Sequence, residues 1–231
     1  MTILAIDTSN DALGIALYQN EQVIEEYISV NKNKHSARLM PAVDQLLKNA
    51  EVKPEDLSKI VVAKGPGSYT GVRIGLSVAK AMAWSLKIPI VGISSLEILS
   101  LQAQGRGYSV CPFIDARRDL VFTGLYDSNG QIVINDQNIL MVDWLDKLAE
   151  ISKKIIFVSP DLKQFEDMII EKLGEKAIFM PKGFHVTRPG LLALAGKKRP
   201  GEDVHQLVPS YLRLVEAEAK WLAEQEGKQD G

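Results

Sequence analysis

The order of hydrophobic periods restricts the fold most: three short strand-like runs come first, and helix-like and strand-like runs alternate after them. Ile3–Asp7, Leu13–Tyr18 and Gln22–Val30 read as strands, with Asn10-Asp11 and Gln19-Asn20-Glu21 as turn punctuation. Leu39, Met40, Val43, Leu46 and Leu47 then recur at helical spacing and predict an amphipathic helix over Ser36–Asn49. A strand over Lys59–Ala63, a helix over Gly71–Leu86, a strand over Ile88–Ile93 and a helix over Ser95–Gln104 complete the order βββαβαβα. After a linker at Gln104-Gly105-Arg106-Gly107 the order starts again. Strands are expected over Val110–Asp115, Leu120–Tyr126 and Gln131–Ile134, then a helix over Val142–Ile151, a strand over Ile155–Val158, a helix over Asp161–Leu173, a strand over Ala177–Phe179 and a helix over Pro189–Leu194. The halves do not align residue by residue, so the duplication rests on element order alone.

Two copies of strands-then-helices predict an α/β protein of two RNase H-like lobes: residues 1–104, a smaller lobe over 105–215, and a helical segment with a polar tail over 216–231. Such lobes pack side by side around a cleft. The acetate kinase, sugar kinase, Hsp70 and actin superfamily uses that pair to hold a nucleotide.

Charge narrows the partners. With 27 Lys+Arg against 29 Asp+Glu, the chain has no global electrostatic reason to hold nucleic acid by itself. Cys111 is the single cysteine, which excludes an internal disulfide and a Cys-rich zinc site and points to a reducing compartment, the cytoplasm by default. No run approaches 18 uninterrupted apolar residues, so no membrane span is expected.

The strongest local signal is Lys64-Gly65-Pro66-Gly67-Ser68-Tyr69-Thr70-Gly71-Val72-Arg73-Ile74-Gly75, between a strand and a helix. Its glycines and the helix N-terminus suit an anion, and they equally suit a tight connection capped by Ser68 or Thr70. It has neither Walker nor Gly-x-Gly-x-x-Gly spacing. In the following helix Gly71, Gly75, Ala79 and Ala83 fall every four residues and form a groove of small side chains, while Val72, Leu76, Val78 and Met82 are apolar elsewhere and Ile74 and Trp84 lie off the stripe. Two early glycines cost about 1 kcal/mol each relative to alanine in a helix interior, so a close neighbour should offset them, either the chain's own sheet or a second subunit. Asp7-Thr8-Ser9 ends the first strand, as a metal or phosphate ligand set or as ordinary turn residues. His35, His185 and His205 are isolated from one another in sequence, and Cys111 lies in an apolar strand with no adjacent base.

Ile6-Asp7-Thr8-Ser9, the Gly65–Gly75 loop with Ala79-Lys80, Asp115-Ala116-Arg117 and Pro209-Ser210-Tyr211-Leu212-Arg213 together resemble the TsaB (YeaZ) family across essentially the whole chain. That resemblance implies a non-catalytic subunit of the bacterial machinery that makes threonylcarbamoyladenosine in tRNA. It would pair with the catalytic subunit TsaD, which moves threonylcarbamoyl from its adenylate to the adenosine beside the anticodon. The ATPase TsaE and tRNA would join through the complex, and a homodimer would form in isolation. The resemblance places the partner contact on first-lobe helices, hence on Leu39, Met40, Val43, Leu47, Gly71, Val72, Gly75, Ala79 and Met82. A vestigial phosphate or interface loop would comprise Asp7, Thr8, Ser9, Gly65, Gly67, Ser68, Thr70 and Arg73. No catalytic residue, metal or cofactor is expected. Where the catalytic relative carries a His-Leu-Glu-Gly-His metal motif, this chain reads Ser95-Leu96-Glu97-Ile98-Leu99; where it carries Ser-Gly-Gly-His-Thr, this chain reads Ile114-Asp115-Ala116-Arg117-Arg118. An autonomous ATPase or kinase of the same fold is the alternative, and a metallopeptidase fits less well because neither imidazole is present.

Overall fold

A computed structural model describes residues 1–31, 35–151, 153–181, 183 and 185–212. The expected tail over 216–231 lies outside them. Among these residues ten strands and six α-helices follow in order: β1 (Thr2–Asp7), β2 (Leu13–Gln19), β3 (Gln22–Ser29), α1 (His35–Asn49), β4 (Lys59–Ala63), α2 (Tyr69–Leu86), β5 (Ile90–Ile93), α3 (Ser95–Leu101), β6 (Ser109–Asp115), β7 (Leu120–Tyr126), β8 (Ile132–Leu140), α4 (Met141–Ala149), β9 (Ile155–Val158), α5 (Leu162–Leu173), β10 (Ala177–Phe179) and α6 (Pro189–Lys197). The two sheets have one topology, β3-β2-β1-β4-β5 and β8-β7-β6-β9-β10. In each, two antiparallel hairpin strands precede parallel strands reached by helical crossovers. The chain is an α/β protein of two RNase H-like lobes, as the element order predicted.

Strand alternation sorts side chains into layers. Leu4, Ile6, Ile15 and Ile60 face α1 and α2; Ile3, Ala5, Ala16 and Val61 face Leu192 and Ala193 of α6. In the second lobe Phe113, Val121 and Phe157 face Trp144 of α4 and Phe165 of α5, while Val110, Tyr126 and Ile156 receive Leu96 and Leu99 of α3. The molecule is therefore layered α1α2, sheet, α6α3, sheet, α4α5. The sequence reading groups 105–215 with the second lobe, but α6 crosses back onto the first sheet. Gly196 permits this, because a methyl there would overlap Val61. Lys59, buried and with its pKa lowered by desolvation, donates from Nζ to the carbonyls of Gly196, Lys197 and Arg199.

After α6 the chain runs along the free edge of β5 as a strap. Glu202 pairs with Ile90 and accepts the Gly92 N–H at 2.7 Å, and Leu207 enters the first core. Lys80 donates to the carbonyls of His205 and Leu207, and the Ser210 N–H donates to Lys64. Between lobes, Ser94 caps α3 with its Oγ while donating to Asp136 of β8, whose other oxygen accepts from Tyr126 at 2.6 Å.

Several boundaries differ from expectation, three of them with a local cause. β5 starts after Pro89, which donates no ladder bond, and α2 starts two residues early because Ser68 is its cap. β8 runs to Leu140, since its polar stretch Asn135–Asn138 continues to pair with β7 at the sheet edge.

Candidate functional site

The glycine-bearing loop sits on the end of β1. Gly65 (φ +91°) and Gly67 (φ +155°) adopt backbone that side chains disfavour, and a methyl on Gly67 would overlap the Ser9 carbonyl. The Ser68 N–H donates to that carbonyl at 2.7 Å, and Ser68 Oγ accepts the Gly71 N–H. Thr8 Oγ1 donates to the Gly71 carbonyl at 2.7 Å. The first hairpin thus occupies the space in which a phosphate would have to lie, and it uses the amide of Ser68.

Asp7, Thr8 and Ser9 are all buried. Asp7 Oδ1 accepts from the N–H and Oγ of Ser9 at 2.9 and 2.7 Å, an Asx turn; Oδ2 is buried with no partner among the described residues. The groove between lobes, about 350 Å³, is lined by Asn10, Asp11, Leu99, Asp161, His185 and Thr187 among other described residues. His185 Nδ1 accepts from the Ser159 N–H, so Nε2 donates to Met180 O and the ring is neutral.

The expected metal-motif positions are likewise spent on structure. Ser95 and Leu99 are buried, and Glu97 forms an ion pair with Arg199; burial, opposed by that arginine, holds the Glu97 carboxyl above its ordinary range. Among the described residues no three His, Cys, Asp or Glu side chains cluster to hold a metal. The β6–β7 loop holds Arg117, Arg118 and Asp119 in the left-handed region, all at φ between 56° and 66°.

The small stripe of α2 faces inward. A methyl on Gly71 would overlap the Thr8 carbonyl and one on Gly75 the Thr8 hydroxyl, while Ala79 and Ala83 lie in the first core. Leu39, Val43, Leu47 and Val72 are buried in the chain itself. These seven expected contact residues, Leu39, Val43, Leu47, Gly71, Val72, Gly75 and Ala79, therefore serve the chain's own packing: glycine and alanine bring α2 close to β1, and that closeness removes them from any partner's reach. Met40 stays exposed and Met82 half-buried.

What α2 offers outward is its other face: Arg73, Ser77, Ala81 and Trp84 exposed, with Ile74 and Val78 half-buried beside them. Trp84 is 67% exposed. This apolar surplus was readable, since Ile74 and Trp84 lie off the small stripe. At the start of the helix Arg73 stands 3.8 Å over the ring of Tyr69 and donates from Nε to Tyr211 Oη at 2.7 Å, and the two rings stack at 5.7 Å. Thr70 is exposed alongside. No local spacing reveals that cluster, because Tyr211 arrives on the strap.

Comparisons with known proteins agree with this picture. A profile of the family described as TsaD, tRNA N6-adenosine threonylcarbamoyltransferase, matches residues 22–221. The tRNA threonylcarbamoyladenosine biosynthesis protein TsaB of Bacillus subtilis is 52% identical over 230 residues, covering 97% of this chain and all of that one. Two YeaZ-type structures from Pseudomonas aeruginosa superpose with TM-scores of 0.76 and 0.73 at 25% and 27% identity, covering 92% and 91% of this chain and 99% of each. A ROK hexokinase from Thermus thermophilus, 8% identical with a TM-score of 0.54 over 86% of this chain and all of that one, shares the fold alone. No helix among the described residues is long and apolar enough to cross a membrane. With its two-lobed frame, its filled glycine loop and its full-length match to TsaB proteins, the chain belongs to the TsaB family.

Proposed function

We propose that this chain is a non-catalytic subunit of the cytoplasmic machinery that forms N6-threonylcarbamoyladenosine in tRNA. It pairs with a TsaD-type catalytic subunit through the outward face of α1 and α2, and that subunit performs the transfer. A TsaE-type ATPase and tRNA join through the complex, and in isolation the same face closes a homodimer. The observation that carries this reading is the exposed, nearly uncharged outer face of α2 with Trp84 at its end, in a chain 52% identical to a TsaB protein. A glycine-bearing loop packed by Thr8 and Ser9 supports a role without phosphate chemistry of its own.

The test is reconstitution. The purified chain alone should neither consume ATP nor modify tRNA, and adding the TsaD-type and TsaE-type subunits with threonylcarbamoyl-adenylate should give product. Trp84→Glu should abolish co-purification with the TsaD-type subunit and leave the melting temperature unchanged. Product formation or ATP turnover at enzymatic speed by the chain alone overturns the reading.

A further inference from the structure

Arg73 is the most deliberately positioned exposed side chain on the outer face of α2. Its guanidinium carbon stands 3.8 Å over the Tyr69 ring, and its Nε–H is fixed by Tyr211 Oη. Tyr211 is held in turn by stacking on Tyr69 and by the neighbouring bond from the Ser210 N–H to Lys64. The hydroxyl bond favours the charged form and raises the arginine's pKa further. The terminal amino groups, which make no hydrogen bond among the described residues, are left as a rigid two-donor edge. Both tyrosines remain more than 40% exposed. Ordering three long side chains at the surface costs conformational entropy that no burial in this chain repays.

We propose that Arg73 is a pre-set clamp for a carboxylate on the TsaD-type partner, and that this bidentate pair fixes the register of the subunit contact. The inference rests on the docking face assigned above and adds the partner's chemistry to it. A planar two-donor edge fits a carboxylate or a phosphate equally well. The surroundings select the carboxylate. α2 holds one other cation, Lys80, and it is spent on the carbonyls of His205 and Leu207. The rest of the α2 face is Ile74, Ser77, Val78, Ala81 and Trp84, with no second cation on that helix face to follow a polyphosphate backbone. An arginine between tyrosines at one end of an apolar strip is the composition of a protein-contact anchor.

The experiment measures affinity for the purified TsaD-type subunit of the same cell by titration calorimetry, at 50 and 300 mM salt. Arg73→Glu should weaken pairing about 100-fold and Arg73→Lys about 10-fold, since lysine keeps the charge and loses the fork. Arg73→Ala should flatten the salt dependence, and Tyr211→Phe, a positioning change, should weaken pairing about threefold while leaving the salt slope intact. All variants should melt as the parent does. If Arg73→Glu pairs normally while Trp84→Ala does not, the docking face stands and the carboxylate clamp is wrong. If both pair normally, the face itself is wrong. If Arg73→Glu spares subunit pairing but weakens binding of tRNA to the assembled complex, Arg73 serves a phosphate and the proposal is overturned.

Discussion

The two lobes are the same device built twice, and their outer helix pairs make an internal control. α1 and α2 cover one sheet in the positions that α4 and α5 hold on the other. α5 carries five charged residues in twelve, Lys163, Glu166, Asp167, Glu171 and Lys172, and Lys172 pairs with Asp146 of α4. α2 carries two in eighteen, Arg73 and Lys80. Equal positions in equal frames thus bear a charged face in one lobe and a nearly uncharged one in the other. Neither core needs the difference, since each buries its own apolar set, so the bare face of α2 reflects a demand outside the chain.

The largest effect expected from breaking this comparison lies on the inward side of α2. Gly71→Val would drive a side chain into the Thr8 carbonyl and should cost about 3 kcal/mol or more, seen as loss of soluble folded protein, whereas Lys163→Ala on the outer face of α5 should stay within about 0.5 kcal/mol. In the second core, Cys111 accepts from Trp144 Nε1 at 3.2 Å, and burial pushes its thiol up to about 11. With the folded value above the unfolded one, the neutral thiol's contribution is complete below about pH 9 and is lost as pH rises through about 11. Denaturant titrations should show about 3 kcal/mol of alkaline loss in this window, which Cys111→Ala should flatten. Ala81→Arg should weaken pairing with the TsaD-type subunit about tenfold with no change in melting, and Met168→Arg, at the corresponding outer face of α5, should leave pairing untouched. Equal effects from both would remove the asymmetry. The smallest effect is a gain: Arg117→Gly relieves one left-handed residue in the β6–β7 loop and should stabilise by about 0.5–1 kcal/mol in thermal melts.

Element order was legible because the periods of 2 and 3.6 are local properties, and nearly every strand and helix follows from them. The inward face of α2 was not. The glycine stripe announces a close neighbour, but the neighbour is Thr8, 63 residues away, and only the closed sheet brings it there. The same distance problem hides Tyr211 from Arg73, 138 residues apart, and α6 from the first sheet. The polar run of β8 conceals a strand because an edge position tolerates Asn135, Asp136 and Gln137.

The return of α6 has a consequence for birth on the ribosome. Until residues 189–197 are made, Ile3, Ala5, Ala16 and Val61 lack the cover that Leu192 and Ala193 give on that side of the sheet. The inner layer of the first sheet is therefore completed only when α6, made long after β1 to β5, returns to it.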